Sequence, residues 1–98
     1  MLARVENTMW GRELNYDHLD WIGLRAVKFG LNGIVYFRED GSIKVIAEGE
    51  EEDLEKLEST LDYDNFPFRI ENFSLTWHKP TGEFQDFTVL EKEPGKHH

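Results

Sequence analysis

The dipeptide Asp40-Gly41 lies between two runs of β-forming residues, and this arrangement constrains the fold more than any other feature of the chain. Residues 33–37 read Gly-Ile-Val-Tyr-Phe, and residues 43–47 read Ile-Lys-Val-Ile-Ala. Glycine accepts the positive φ angle that a tight turn requires, so an Asp-Gly pair between such runs is a strong hairpin signal. The sequence therefore predicts two paired strands joined by a turn over residues 38–42.

Two amphipathic helices are predicted, one on each side of this hairpin. The first begins near residue 17, where Asn15 or Asp17 can cap it, and Gly30 is placed to end it. Gly23 within this helix costs about 1 kcal/mol relative to alanine, which predicts close packing against a strand. The second helix spans residues 50–61. Each helix carries one apolar face that we expect to be buried: Leu19, Ile22, Ala26 and Phe29 in the first, and Leu54, Leu57 and Leu61 in the second.

Three further segments are predicted as strands. Residues 2–9 are weakly strand-like, residues 69–78 alternate in side-chain character, and residues 84–90 form a short last strand. Residues 62–68 are predicted as a turn. The resulting order, β-α-β-β-α-β-β, is the split β-α-β arrangement of ferredoxin-like folds. We therefore predict an α+β fold in which an antiparallel sheet of four to five strands carries both helices on one face.

The length of 98 residues suits a single domain, which we assign to residues 1–92. Residues 93–98 resemble a solvated tail, and we interpret His97-His98 as the remnant of a purification tag. The chain has no cysteine, and no apolar run approaches the ~18 residues that a membrane span needs. We expect a cytoplasmic protein that does not bind membranes.

The charge balance argues against nucleic-acid binding. Eleven basic residues oppose 20 acidic ones, for a formal net charge of −9, whereas nucleic-acid binders normally present a basic surface. Tyr36, Phe37 and Trp77 could stack on bases, but we interpret them as core residues. His18 and His78 lack the spacing of metal ligands. The sequence therefore predicts no nucleic-acid partner, no metal and no cofactor.

Three segments, in the right order, resemble the acylphosphatase family. Residues 26–35 resemble the pattern A-x-x-L-G-L-x-G-x-V, and residues 40–49 resemble the hairpin D-G-S-V-x-V-x-x-x-G. Residues 70–87 resemble the two strands that close the family's fold. The resemblance extends from about residue 24 to residue 90 and implies the ferredoxin-like fold. The family's activity is the hydrolysis of small acyl phosphates.

The same resemblance indicates that the catalytic signature is missing. In the family, a loop after the first strand cradles the phosphate with backbone N–H groups and an Arg, and an Asn near the end of the second strand positions the attacking water. The resemblance places the Arg at Leu19 and the Asn at Phe37. It places the loop on residues 13–18, where Glu13 and Asp17 would repel an anion. This implies no catalytic residues in the family's positions.

A slipped alignment before the first helix leaves one alternative anion site. Gly11 and Arg12 could then imitate the missing loop, with Asn15 as a side-chain donor. Arg12 beside Glu13 can equally be an ordinary solvent-exposed side chain, because a lone Arg is a weak signal.

Two functions are therefore open. The first, which we favour, is a non-enzymatic acylphosphatase-like domain that binds an unknown protein partner or a small anion. The second is an acylphosphatase-type hydrolase with an anion site relocated to Arg12. Turnover of benzoyl phosphate would distinguish them.

Overall fold

A computed structural model describes residues 1–61 and 70–95 of the protein. In chain order its elements are β1 (Leu2–Trp10), α1 (Tyr16–Lys28), β2 (Asn32–Phe37), β3 (Ile43–Glu50), α2 (Glu51–Thr60), β4 (Asn72–His78) and β5 (Phe87–Val89). This order confirms the predicted succession of strands and helices. The predicted turn over residues 62–68, and residue 69 of the predicted fourth strand, lie outside the described residues.

The strands form one five-stranded sheet in the order β4-β1-β3-β2-β5. β3 is the central strand, and β1 lies between β3 and β4 and pairs antiparallel with both. β2 and β3 pair antiparallel, with Val35 opposite Val45, and Gly41 in their turn has a φ of 87°. The hairpin predicted at Asp40-Gly41 is therefore confirmed.

The sheet is mixed rather than purely antiparallel, because β5 pairs parallel with β2, with Ile34 opposite Thr88. β4 and β5 lie at opposite edges of the sheet, so residues 79–86 cross its end and deliver β5 in the same direction as β2. The predicted last strand of residues 84–90 is also shorter than expected, since the ladder covers three residues. Consecutive strands are often sheet neighbours, but here the connection joins the two edges.

Local signals explain where α1 begins and ends. Asn15 caps α1, as predicted, and Gly30 follows the helix with a φ of 72°. Gly23 lies against β5, because a Cβ atom at this position would stand 2.9 Å from Cγ2 of Val89. The helix therefore approaches β5 more closely than an alanine would allow, as the sequence predicts.

The core lies between the two helices and one face of the sheet. The predicted helix faces are confirmed with one exception, since Phe29 is only partly buried at the end of α1. The fully buried members of these faces are Leu19, Ile22, Ala26, Leu54 and Leu57, and Leu61 is 5% exposed. The strands contribute alternate residues such as Val5, Val35 and Val45. Within the described residues, neither helix has the length and apolarity to cross a membrane.

Candidate functional site

Residues 11–15 connect β1 to α1 and contain the anion site predicted from the sequence. The side-chain oxygen of Asn15 accepts the backbone N–H of Asp17 at 2.9 Å. The backbone N–H of Asn15 donates to Nδ1 of His18 at 2.7 Å. Asn15 and the first turn of α1 therefore form a capping box, in which each side pairs a backbone N–H of the other. Burial lowers the pKa of the His18 imidazole, which favours the neutral ring that can accept this bond. The Asn15 side-chain oxygen is therefore engaged by the helix itself.

The neighbouring Arg12 has a different partner. Its side chain is 84% exposed, and its Nε lies 3.5 Å from Oε2 of Glu71. Gly11 precedes it directly after β1, and Glu13 follows it with a φ of 63°, a left-handed conformation that is uncommon for residues other than glycine. Within the described part of the chain, no contact joins the side chains of Arg12 and Asn15.

The two positions that the family resemblance assigns to Arg and Asn are apolar in their surroundings as well as in identity. Leu19 lies in the first turn of α1 and is completely buried in the core. Phe37 ends β2, and its ring meets the ring of Tyr16 edge-on, with centroids 5.2 Å apart and planes at 85°. The hydroxyl of Tyr16 donates to the backbone oxygen of Glu91 at 3.5 Å. An aromatic pair therefore joins the start of α1 to the end of β2.

Comparison with known proteins identifies the family. The family model described as Acylphosphatase matches residues 16–89. The chain belongs to the acylphosphatase family. A protein named acylphosphatase from Paenarthrobacter aurescens strain TC1 is 30% identical over 91 residues, which are 93% of each chain.

Solved structures share the fold of this acylphosphatase-family domain. The crystal structure of acylphosphatase from Bacillus subtilis has a TM-score of 0.80 at 23% identity, covering 92% of this chain and 99% of that one. Full-length HypF, in its phosphate- and nucleotide-bound form, has a TM-score of 0.82 at 22% identity. That match covers 97% of this chain and 13% of HypF, so the same fold forms a small part of a much longer protein.

A dense polar cluster lies at the opposite end of the sheet from the β1–α1 loop. The carboxylate of Glu48 accepts the backbone N–H and the hydroxyl of Thr81 at 2.9 and 2.8 Å, and the backbone N–H of Gly82 at 2.9 Å. The Arg4 guanidinium donates to Glu48 at 2.8 Å and to Glu83 at 2.6 Å. The cluster fixes residues 79–86 against β1 and β3, so we interpret it as architectural. The sequence does not predict this cluster, because its members come from three distant segments.

The three aromatic residues considered for base stacking do not share one open surface. Tyr36 is 7% exposed, and strand alternation places it on the opposite face of the sheet from Phe37. Trp77 is 45% exposed and belongs to β4, at the far side of the sheet from β2. Over residues 1–61 and 70–95, no group of three His, Cys, Asp or Glu side chains is arranged to hold a metal ion.

Proposed function

We propose that this acylphosphatase-family domain does not hydrolyse acyl phosphates and instead acts as a binding module. The observation that carries the proposal is the environment of Leu19 and Phe37, the two positions to which the resemblance assigns the phosphate-binding Arg and the water-positioning Asn. Leu19 is buried in the core, and Phe37 packs against Tyr16. Neither side chain carries a polar group that could replace the Arg or the Asn.

The chemistry of the reaction explains why this observation matters. An acyl phosphate must be held by charge-assisted donors, and an attacking water must be oriented by a polar side chain. Leucine offers no donor, and phenylalanine offers neither donor nor acceptor. Removing one preorganised donor commonly lowers a rate by about 10²–10³-fold. Glu13 and Asp17 add negative charge to the same loop and oppose the approach of an anion.

A protein is the partner that this reading favours. The formal net charge of −9 opposes binding to nucleic acids and to anionic membrane surfaces. A chain without cysteine needs no oxidising compartment, which supports a cytoplasmic location.

A second candidate function is acyl-phosphate hydrolysis at a relocated anion site. The relative named acylphosphatase favours it, as does Arg12, whose exposed guanidinium has one ionic contact among the described residues, at 3.5 Å from Glu71. Gly11 and Asn15 would complete such a site. For this role the Asn15 side chain would have to leave its cap on α1.

Hydrolysis of benzoyl phosphate by the purified chain tests the proposal. We expect a rate equal to that of the buffer alone, and no change in the amide NMR signals of residues 11–15 when inorganic phosphate is added. The matched variants are Arg12→Ala and, as a control, Arg38→Ala, which removes another exposed Arg.

Turnover that disappears in Arg12→Ala and persists in Arg38→Ala would overturn the proposal in favour of the relocated site. Turnover that neither substitution reduces would also overturn it, and would mean that hydrolysis proceeds without Arg12.

A further inference from the structure

Asn7 and Glu58 form a buried polar pair that no part of the proposed function uses. Asn7 lies in the middle of β1 and is 2% exposed, and its Nδ2 donates to Oε1 of Glu58 at 2.7 Å. The other two polar atoms of the pair, Oδ1 of Asn7 and Oε2 of Glu58, are buried without a hydrogen-bond partner among the described residues. A buried polar atom left unpaired costs about 1–3 kcal/mol, so two in one place require a physical explanation.

A pocket of about 400 Å³ adjoins this pair. Its other walls are mainly apolar and come from Met9 of β1, Leu61 after α2, and Phe73 and Leu75 of β4. Phe73 is 60% exposed. The volume is within the range of about 300–1,000 Å³ that is typical of small-molecule sites. The pocket therefore combines an apolar wall with one polar corner.

The polar corner selects for positive charge. Both unpaired atoms are acceptors when Glu58 is ionised, and Glu58 is the only charged residue among the described walls. The strands beneath α2 present uncharged side chains to it: Asn7 from β1, Val45 from β3 and Leu75 from β4. On α2 itself, Glu55 is exposed. A ligand that satisfies this corner must supply two donors and a positive charge.

We propose that this pocket binds a small ligand with a planar amidinium or guanidinium head on an apolar body, the head donating to Asn7 Oδ1 and Glu58 Oε2. Such a head presents two N–H groups in a fixed fork, which matches a pair of neighbouring acceptors. Both acceptors are buried in the structure, so binding requires a rotation about the soft terminal torsion of Glu58 that turns Oε2 toward the pocket. The acidic chain attracts cations over a longer range. None of residues 11–19 takes part, so the inference does not rest on the proposed function.

Binding is expected to depend on pH. Burial raises the pKa of Glu58 to about 7, and the hydrogen bond from Asn7 offsets only part of this effect. Below that pH the carboxyl carries a proton, and a cation must displace it in order to bind. Affinity for a cationic ligand should therefore fall about tenfold between pH 8 and pH 6.

Benzamidine is a suitable probe, because it carries an amidinium on a phenyl ring and remains charged throughout this pH range. Millimolar benzamidine should shift the side-chain amide NMR signals of Asn7 at pH 8, whereas benzamide, which is neutral and has one donor group fewer, should not. The Glu58→Gln variant should bind at least tenfold more weakly. The matched control Glu55→Gln, an exposed carboxylate on the same helix, should bind as the wild type does.

Absence of shifts at Asn7, or equal binding of benzamide, would overturn the proposal. So would equal affinity in Glu58→Gln, and the pair would then be explained by a protonated Glu58 donating to Asn7. The pH profile of the wild type keeps the test decisive even if a variant folds poorly, because affinity that does not fall between pH 8 and pH 6 contradicts the role of the carboxylate.

Discussion

Glu48 and Glu58 are both withdrawn from water, yet their surroundings drive their charges in opposite directions. Burial by itself raises the pKa of Glu48, but hydrogen bonds from Thr81, Arg4 and Gly82 together lower it to about 2. Burial also raises the pKa of Glu58, and a single bond from Asn7 leaves it at about 7. The number and charge of the hydrogen-bond donors, rather than the depth of burial, therefore decide whether a buried carboxyl is ionised.

The two carboxyls also differ in what they do for the fold. Glu48 joins β3 to the segment that crosses the end of the sheet, and its oxygens accept four hydrogen bonds. Glu58 joins α2 to β1 through one bond, and its other oxygen has no partner in the part of the chain that the structure describes. The first arrangement stabilises the architecture, whereas the second leaves a polar corner beside a pocket. Substitutions that remove the two carboxylates should therefore change the free energy of unfolding in opposite directions.

Glu48→Ala should have the largest effect. It leaves the backbone N–H groups of Thr81 and Gly82 without their acceptor and removes a carboxylate from Arg4, so the free energy of unfolding should fall by about 3 kcal/mol at pH 7. Urea unfolding measures the loss. Because the native pKa lies below 4.5, this contribution is present above pH 4.5 and disappears as the pH falls toward 2.

The control for this substitution is Glu55→Ala, which removes an exposed carboxylate and should change the unfolding free energy by less than about 0.5 kcal/mol. If both variants unfold at the same urea concentration as the wild type, the cluster around Glu48 does not hold the crossing segment in solution.

Glu58→Gln should stabilise the protein at high pH. The native pKa of about 7 exceeds the ordinary value of 4.5, so the native state holds a proton that the unfolded chain releases between these values. The contribution of Glu58 to the stability of the wild type should therefore fall as the pH rises from 4.5 to 7. A glutamine stays neutral, and its amide can pair with both polar atoms of the Asn7 side chain. We expect a gain of about 2 kcal/mol at pH 8 that vanishes at pH 4.5.

Urea unfolding of Glu58→Gln and Glu55→Gln at the two pH values provides the measurement. The control should show no such pH dependence relative to the wild type. A difference between Glu58→Gln and the wild type that is equal at pH 4.5 and pH 8 would mean that Glu58 is not buried in its neutral form.

Thr81→Val should have the smallest effect of the three. Valine keeps the shape and the backbone N–H of this residue and removes only the hydroxyl that donates to Glu48 at 2.8 Å. The loss should be about 1 kcal/mol in urea unfolding, since three donors to the carboxylate remain. A loss as large as that of Glu48→Ala would show that the hydroxyl, rather than the full set of donors, holds the carboxylate.

The candidate loop shows how one residue can fit two predictions. The sequence supports Asn15 both as a helix cap and as a donor to an anion, because a short polar side chain before a helix suits either role. In the structure, the side-chain oxygen of Asn15 caps α1 by accepting the backbone N–H of Asp17. Whether Gly11 and Arg12 bind an anion stays a prediction, and so does the division into a domain of residues 1–92 and a tail.

The sequence by itself determined the hairpin at Asp40-Gly41, the two helices and their buried faces, because each of these depends on residues within about ten positions of one another. Tertiary structure alone decided that β5 pairs parallel with β2 at the far edge of the sheet. It also decided which donors bond to Glu48, and that Glu58 pairs with Asn7, which is 51 residues away in the sequence. Such partners depend on how complete elements pack, and no local pattern records the number of donors that a buried carboxyl will find.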